Sequence, residues 1–400
     1  RHNVVKTKRS SAFGYFTETY LMSSDKNWLA LVLSGGGARA AYQVGFLRCL
    51  SRNFPDLNIP IITGVSAGAI NAVFLANHEG SFAEAVEALS ELWFKLSFDQ
   101  VFCVDTGKLI RNVFRWGIRL ISGGIPKESA AKSLLDSTPL RELLKQELLP
   151  QDNVIAGIGR NLQREKLKAF AITGTSYATG QAITWVMGDD IRMWEHPWRR
   201  SEATDITVDH IMSSASLPLL FPAISVEKAW YGDGGIRQSA PLSPAIYLGA
   251  KRILAVSTHH QKSIQEANAP VCIGYPPPAQ IAGTLMNSIF LDALDQDIRT
   301  LKRINQLLEK IPVERRGDRH VVNHFVMRPS EDLGKLAGGF EPDLPTMFRY
   351  LFRGLGTHET SSPDWLSMVM FDPNYLTRLI ELGENDAGKQ IENLLAFMNA

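Results

Sequence analysis

Short apolar runs alternate with stretches of helical period through the first 260 residues. Trp28-Leu29-Ala30-Leu31-Val32-Leu33 has no polar face and predicts a strand covered on both sides. Behind it Tyr42, Phe46, Leu47 and Leu50 fall on one helical stripe. Ile61-Ile62-Thr63 predicts a second strand, followed by a helix to about Asn77 and another over 81–98 with Ser81 as its N-cap. Residues 167–173 and 181–187 alternate like a strand pair joined through Tyr177-Ala178-Thr179-Gly180, and 252–258 predicts one more buried strand. Parallel strands need crossover helices. The pattern therefore predicts an α/β, three-layer fold, with a mostly parallel central sheet between helices on both faces.

Beyond residue 260 the texture changes. The stretch 261–280 is polar and contains the stiff Tyr275-Pro276-Pro277-Pro278. Leu294, Ile298, Leu301, Ile304 and Leu308 then line one face of a long amphipathic helix expected over 281–310, with a strand near 320–327 and helices after it. The expected organisation is a basic, weakly structured arm over 1–27, a body over 28–260 and a mainly helical extension over 261–400. Two apolar faces carry basic edges suited to a lipid surface. One is Ile110, Val113, Phe114, Ile118 and Ile121 beside Arg111, Arg115 and Arg119. The other is Leu344, Met347, Phe348, Leu351 and Phe352 beside Arg349 and Arg353.

Composition mainly excludes. A net charge of +1 over 400 residues gives no field for nucleic acid, so no such partner is expected. The three cysteines, Cys49, Cys103 and Cys272, are too dispersed for a disulfide framework and suit a reducing compartment. His320 and His324 are four apart but fall in the strand expected near 320–327 and not on a helix, so neither metal nor other cofactor is expected. No apolar run reaches the roughly 18 residues that span a bilayer. A cytoplasmic protein with peripheral membrane contact is expected. Arg1 stands where an initiating Met would, which leaves room for a removed leader.

The chemistry concentrates in Gly64-Val65-Ser66-Ala67-Gly68, where a strand turns sharply into a helix with Ser66 at the apex. The helix amino end there favours a developing anion. Ser34-Gly35-Gly36-Gly37-Ala38-Arg39 puts uncovered backbone N–H groups at another helix start, an anion site. That loop also fits the dinucleotide pattern G-x-G-x-x-A with Asp56 about 20 residues on. Asp56 precedes the next strand instead of ending it, so the nucleotide reading fails on position. Two further blocks follow. Ala215-Ser216-Leu217-Pro218 sits in a stretch of small residues and prolines, and Gly232-Asp233-Gly234-Gly235 sets an acid among glycines at a strand end.

In this order, over about 28–260, the four blocks resemble the patatin-like phospholipase family of lipid acyl hydrolases with a Ser–Asp dyad. Ala40 stands where the family often has Gly, and Ser239 where Asn is common; neither position touches the dyad. Residues 261–400 resemble the helical extension of some bacterial members. The resemblance implies Ser66 as nucleophile and Asp233, of the Asp233-Gly234-Gly235 motif, as direct proton acceptor. It further implies an oxyanion hole in Gly35, Gly36 and Gly37 braced by Arg39, and a phospholipid or other acyl-lipid substrate taken from a membrane surface. The residues themselves leave open a Ser66–Asp233–His259 triad in α/β-hydrolase order, and a lipid-binding protein without activity. An exposed Ser66 is expected. A dyad, having no imidazole, is expected to stay active below a pH of about 6.5, until the raised pKa of its carboxylate is reached.

Overall fold

The computed structural model describes residues 28–103, 107, 133–149, 155–218, 220–268, 274–290, 292–317, 319–354 and 362–399. The predicted arm over 1–27, the face over 110–121 and Cys272 lie outside them.

Ten strands of the described residues form one sheet. They are β1 (Leu29–Leu33), β2 (Ile61–Val65), β3 (Ala169–Ser176), β4 (Ala182–Gly188), β5 (Glu195–His196), β6 (Arg199–Ala203), β7 (Ile224–Val226), β8 (Ala229–Asp233), β9 (Arg252–Val256) and β10 (Asn323–Met327). The order is β10-β9-β1-β2-β3-β4-β6-β5, with β8 also paired to β3 and β7 to β8. From β10 to β3 every pair is parallel. The β3–β4 hairpin is antiparallel, as its short turn requires.

Side-chain alternation divides the core into two layers. Leu29, Leu31 and Leu33 face one cluster with Phe46, Leu47, Phe170 and Ile172, whereas Ala30 and Val32 face another with Ala245, Leu294, Ile298 and Leu301. Helices α1 (Ala41–Asn53), α2 (Ala67–Asn77) and α3 (Phe82–Lys95) contribute to the first layer; Ser243–Tyr247 and Asp292–Glu309 contribute to the second. The three-layer α/β architecture follows directly. Each fully buried Leu or Phe stabilises it by about 1.5–3 kcal/mol. At the start of α3, Ser81 accepts from the Glu84 N–H and Glu84 from that of Ser81, a reciprocal cap.

The extension shares this core. β10 prolongs the parallel sheet beside β9, and the helix Pro373–Lys389 lies against α1. The contact is backbone to backbone: a Cβ on Gly45 would come 1.9 Å from the Ile380 carbonyl oxygen, and one on Gly383 2.1 Å from that of Tyr42. Only glycine permits this approach. The expected long helix is present as Pro278–Phe290 and Asp292–Glu309, position 291 being outside the described residues. Leu344 and Phe348, expected on a lipid-facing surface, are instead buried, with Phe348 packed on Phe98 and Phe102. These two positions of the stripe are satisfied by the core.

Candidate active site

β3 is longer than its neighbour β2, and this mismatch builds the site. β2 pairs with β3 up to Val65↔Thr173, and β8, running the other way, takes the same edge from Gly174↔Asp233 onward. Two strands thus meet head-on along one edge. One delivers Ser66 and the other Asp233. Ser66 Oγ donates to Asp233 Oδ2 at 2.5 Å.

Ser66 has φ 56° and ψ −133°, a backbone region that L-residues avoid. Close packing around it holds that strain. A Cβ on Gly64 would come 2.5 Å from the Gly68 carbonyl oxygen, and one on Gly68 2.4 Å from that of Leu33, so α2 rests directly on the strands. The Ser66 N–H donates to Ser214 Oγ at 3.0 Å, and Ser214 in turn donates to the Thr173 carbonyl at 2.7 Å. Ser66 is only 2% exposed, contrary to the exposed apex expected. Gly35 closes against its Cβ on one side, Ser214 and Asp233 on others.

Asp233 is fully buried. Its Oδ1 accepts the Gly235 N–H at 2.8 Å, its own N–H donates to the Ser216 carbonyl at 2.9 Å, and Thr175 Oγ1 donates to its carbonyl at 2.8 Å. Gly234 lies against the Thr173 carbonyl and Gly235 against the Phe290 ring, leaving no room for side chains. Burial pushes the carboxyl up to about 7, and the bonds from Ser66 and Gly235 only partly oppose it.

The glycine loop folds against Ser66 and is anchored from two directions. Thr258 Oγ1 donates to the Gly35 carbonyl at 2.5 Å. Gly36 (φ 146°) and Gly37 (φ 58°) adopt positive φ, and among the described residues none accepts from their N–H groups. Arg39 is buried at 2% exposure and bonded to Asp364 and Ser367.

His259 is turned elsewhere. Its Nδ1 lies 3.5 Å from Asp295 Oδ2 and 3.8 Å from Asp292 Oδ1. Burial pushes Asp295 up, but bonds from His259 and Arg328 outweigh it and hold the carboxyl at about 2. Among the described residues no imidazole bonds Ser66 or Asp233. His259, Gly235, Gln238 and Trp198 line a cleft of about 830 Å³ that reaches the Asp233 loop from outside. No cluster of three metal-ligating side chains occurs among the described residues.

Ser214, Thr258, Asp364 and Ser367 were not singled out from sequence. Ser213-Ser214-Ala215-Ser216 is visible as a run of small residues, but its spacing does not say which serine meets Ser66. Asp364 lies 325 positions from Arg39, and no local pattern joins them.

The patatin-like phospholipase profile matches residues 31–246, which takes in Ser66, Asp233 and the glycine loop. The chain belongs to this family. Family membership supports a lipid hydrolase. No curated protein matches the chain. Among solved structures it is similar to VipD from Legionella pneumophila, at 14% identity and TM-score 0.40, covering 92% of this chain and 67% of that one. Human GIVD cytosolic phospholipase A2 is similar at 10% identity and TM-score 0.45, covering 93% and 60%. ExoU in its complex with SpcU from Pseudomonas aeruginosa shares 20% identity at TM-score 0.27, covering 71% and 52%. The chain thus spans between 52% and 67% of the length of those proteins.

Proposed function

We propose that this patatin-like phospholipase cleaves carboxyl esters of acyl lipids, with Ser66 as nucleophile and Asp233 as sole general base. The observation that carries the reading is the 2.5 Å bond from Ser66 Oγ to a fully buried carboxylate. Near neutral pH a carboxylate with a pKa of about 7 accepts a proton far more readily than an exposed one. Asp233 takes the hydroxyl proton as Ser66 Oγ bonds to the ester carbonyl carbon. The N–H groups of Gly36 and Gly37, with the positive end of α2, face the resulting oxyanion. On collapse the alkoxide leaves with the proton from Asp233. Water then enters by the same steps reversed and frees the fatty acid and Ser66.

Stoichiometric labelling of Ser66 by a fluorophosphonate tests the reading. A folded protein that resists labelling would favour a catalytically silent lipid-binding protein. Turnover should fall as pH drops through about 7, because protonated Asp233 cannot accept. Burial brings the carboxyl into the histidine range, so pH alone does not separate dyad from triad. Substitution does. His259→Ala should keep most of the wild-type turnover, since its partners are Asp292 and Asp295. Loss comparable to that of a Ser66 variant, with the fold intact, would restore the triad.

An acyl-lipid substrate entails peripheral contact with a lipid surface. Exposed Ile281 and Leu285 share the helix Pro278–Phe290, whose Phe290 packs on Gly235. Among the described residues no helix is long and apolar enough to cross a membrane. Ile281→Glu with Leu285→Glu should lower co-sedimentation with phospholipid vesicles, while hydrolysis of a short, water-soluble ester is kept. Unchanged vesicle binding would remove this face from the contact.

A further inference from the structure

The helix Asp364–Val369 grips the glycine loop at two points. Gly37 lies so close to it that a Cβ would come 2.0 Å from the Met368 carbonyl oxygen. Two residues on, Arg39 is tied to the same helix by three bonds. Its Nη2 donates to Asp364 Oδ1 at 2.6 Å and to the Asp364 carbonyl at 3.2 Å, and its Nε donates to Ser367 Oγ at 2.6 Å. Ser367 Oγ in turn donates to the Asp364 carbonyl at 2.6 Å. The second carboxylate oxygen of Asp364 accepts from Asn287 Nδ2, again at 2.6 Å. The carboxylate therefore sits between the guanidinium and an amide from the helix Pro278–Phe290.

We propose that Asp364 is a positioning residue that holds the Gly35–Gly37 loop in its oxyanion-binding shape by pairing with Arg39. This deepens the hydrolase reading and rests on it. A guanidinium at 2% exposure is stable only while paired, since an uncompensated buried charge costs several kcal/mol. Without the carboxylate, Arg39 turns toward water and draws its own backbone with it. Arg39 N–H donates to the Gly36 carbonyl at 3.2 Å, so that movement reaches the loop directly. Donors to an oxyanion must be held within about 0.5 Å. They act on charge that develops only in the transition state, so their displacement lowers kcat and spares KM.

The test measures kcat per active site, with sites counted by end-point fluorophosphonate labelling so that unfolded protein is not scored. Asp364→Ala should lower kcat by about 10–100-fold with KM within about twofold. The rate of fluorophosphonate inactivation should fall in parallel, because the phosphonyl oxygen occupies the same hole. Asp364→Asn keeps the shape and one acceptor while removing the charge, and should fall about tenfold. It decides the matter if the alanine variant does not fold. Wild-type kcat per labelled site in Asp364→Asn, or a change confined to KM, would overturn the positioning role. Those results with an inactive Ser66→Ala would sink this proposal alone. A fully active Ser66→Ala would remove the hydrolase reading and this proposal with it.

Discussion

Asp233→Asn is expected to lose about 10³-fold or more in kcat and, at pH 8, to melt at a higher temperature than the wild type. The first effect follows from removing the carboxylate that Ser66 Oγ bonds, the proposed acceptor of its proton. The second follows from linkage. Asp233 has its folded pKa raised to about 7 from the ordinary 3.8. Between those values the unfolded chain has released a proton that the folded protein retains, so stability falls as pH rises through that window. Above about 7 the whole penalty of a buried charge is present. Asparagine carries no charge, and its amide can still accept from the Gly235 N–H and donate to Ser66 Oγ. The gain in melting temperature should therefore shrink to nothing as pH approaches about 4. Melting curves of both proteins at pH 4, 6 and 8, with initial rates on a soluble ester, check the pair. A variant that stays active, or that is less stable at pH 8, contradicts the buried-base account.

Ser66→Ala is expected to lose about 10⁴-fold or more in kcat, the scale at which nucleophile removal disables other serine hydrolases. Its consequences for the fold are more informative. The hydroxyl donates one of the two hydrogen bonds to the Asp233 carboxylate, so its loss should push the Asp233 carboxyl above about 7. Alanine inherits the φ of 56° and relieves none of its strain. Glycine has no such penalty there, so Ser66→Gly should be equally inactive yet melt higher than Ser66→Ala. Equal melting temperatures would mean that the elbow stores no strain. Residual turnover above background in either variant would remove Ser66 as nucleophile.

The parts of this protein that were legible in its sequence are those written in neighbouring residues. The unbroken apolar run before Ser34 and the 2.0 and 3.6 periods around it determine buried strands and covering helices, because burial acts on each face separately. Gly64-Val65-Ser66-Ala67-Gly68 announces a turn too tight for side chains, and Asp233 among glycines announces a carboxylate meant to approach another backbone. Chemistry could be assigned to both, but nothing local joins them. Their meeting depends on β3 outrunning β2, so that β8 enters the vacated edge head-on. Burial, too, belongs to the assembled structure. The Ser66 expected at an exposed apex is enclosed by Gly35, Ser214 and Asp233, and the same enclosure moves the Asp233 carboxyl to about 7. The stripe at Leu344 and Phe348 has the period of a surface-seeking helix and of a core helix alike, and only the packing of Phe98 and Phe102 on Phe348 chose between them. The brace on the glycine loop is the least local feature of all. Arg39 and Asp364 lie 325 residues apart, and the fold brings them together only by laying the extension's helices over the glycine loop, where a buried charge must find its partner.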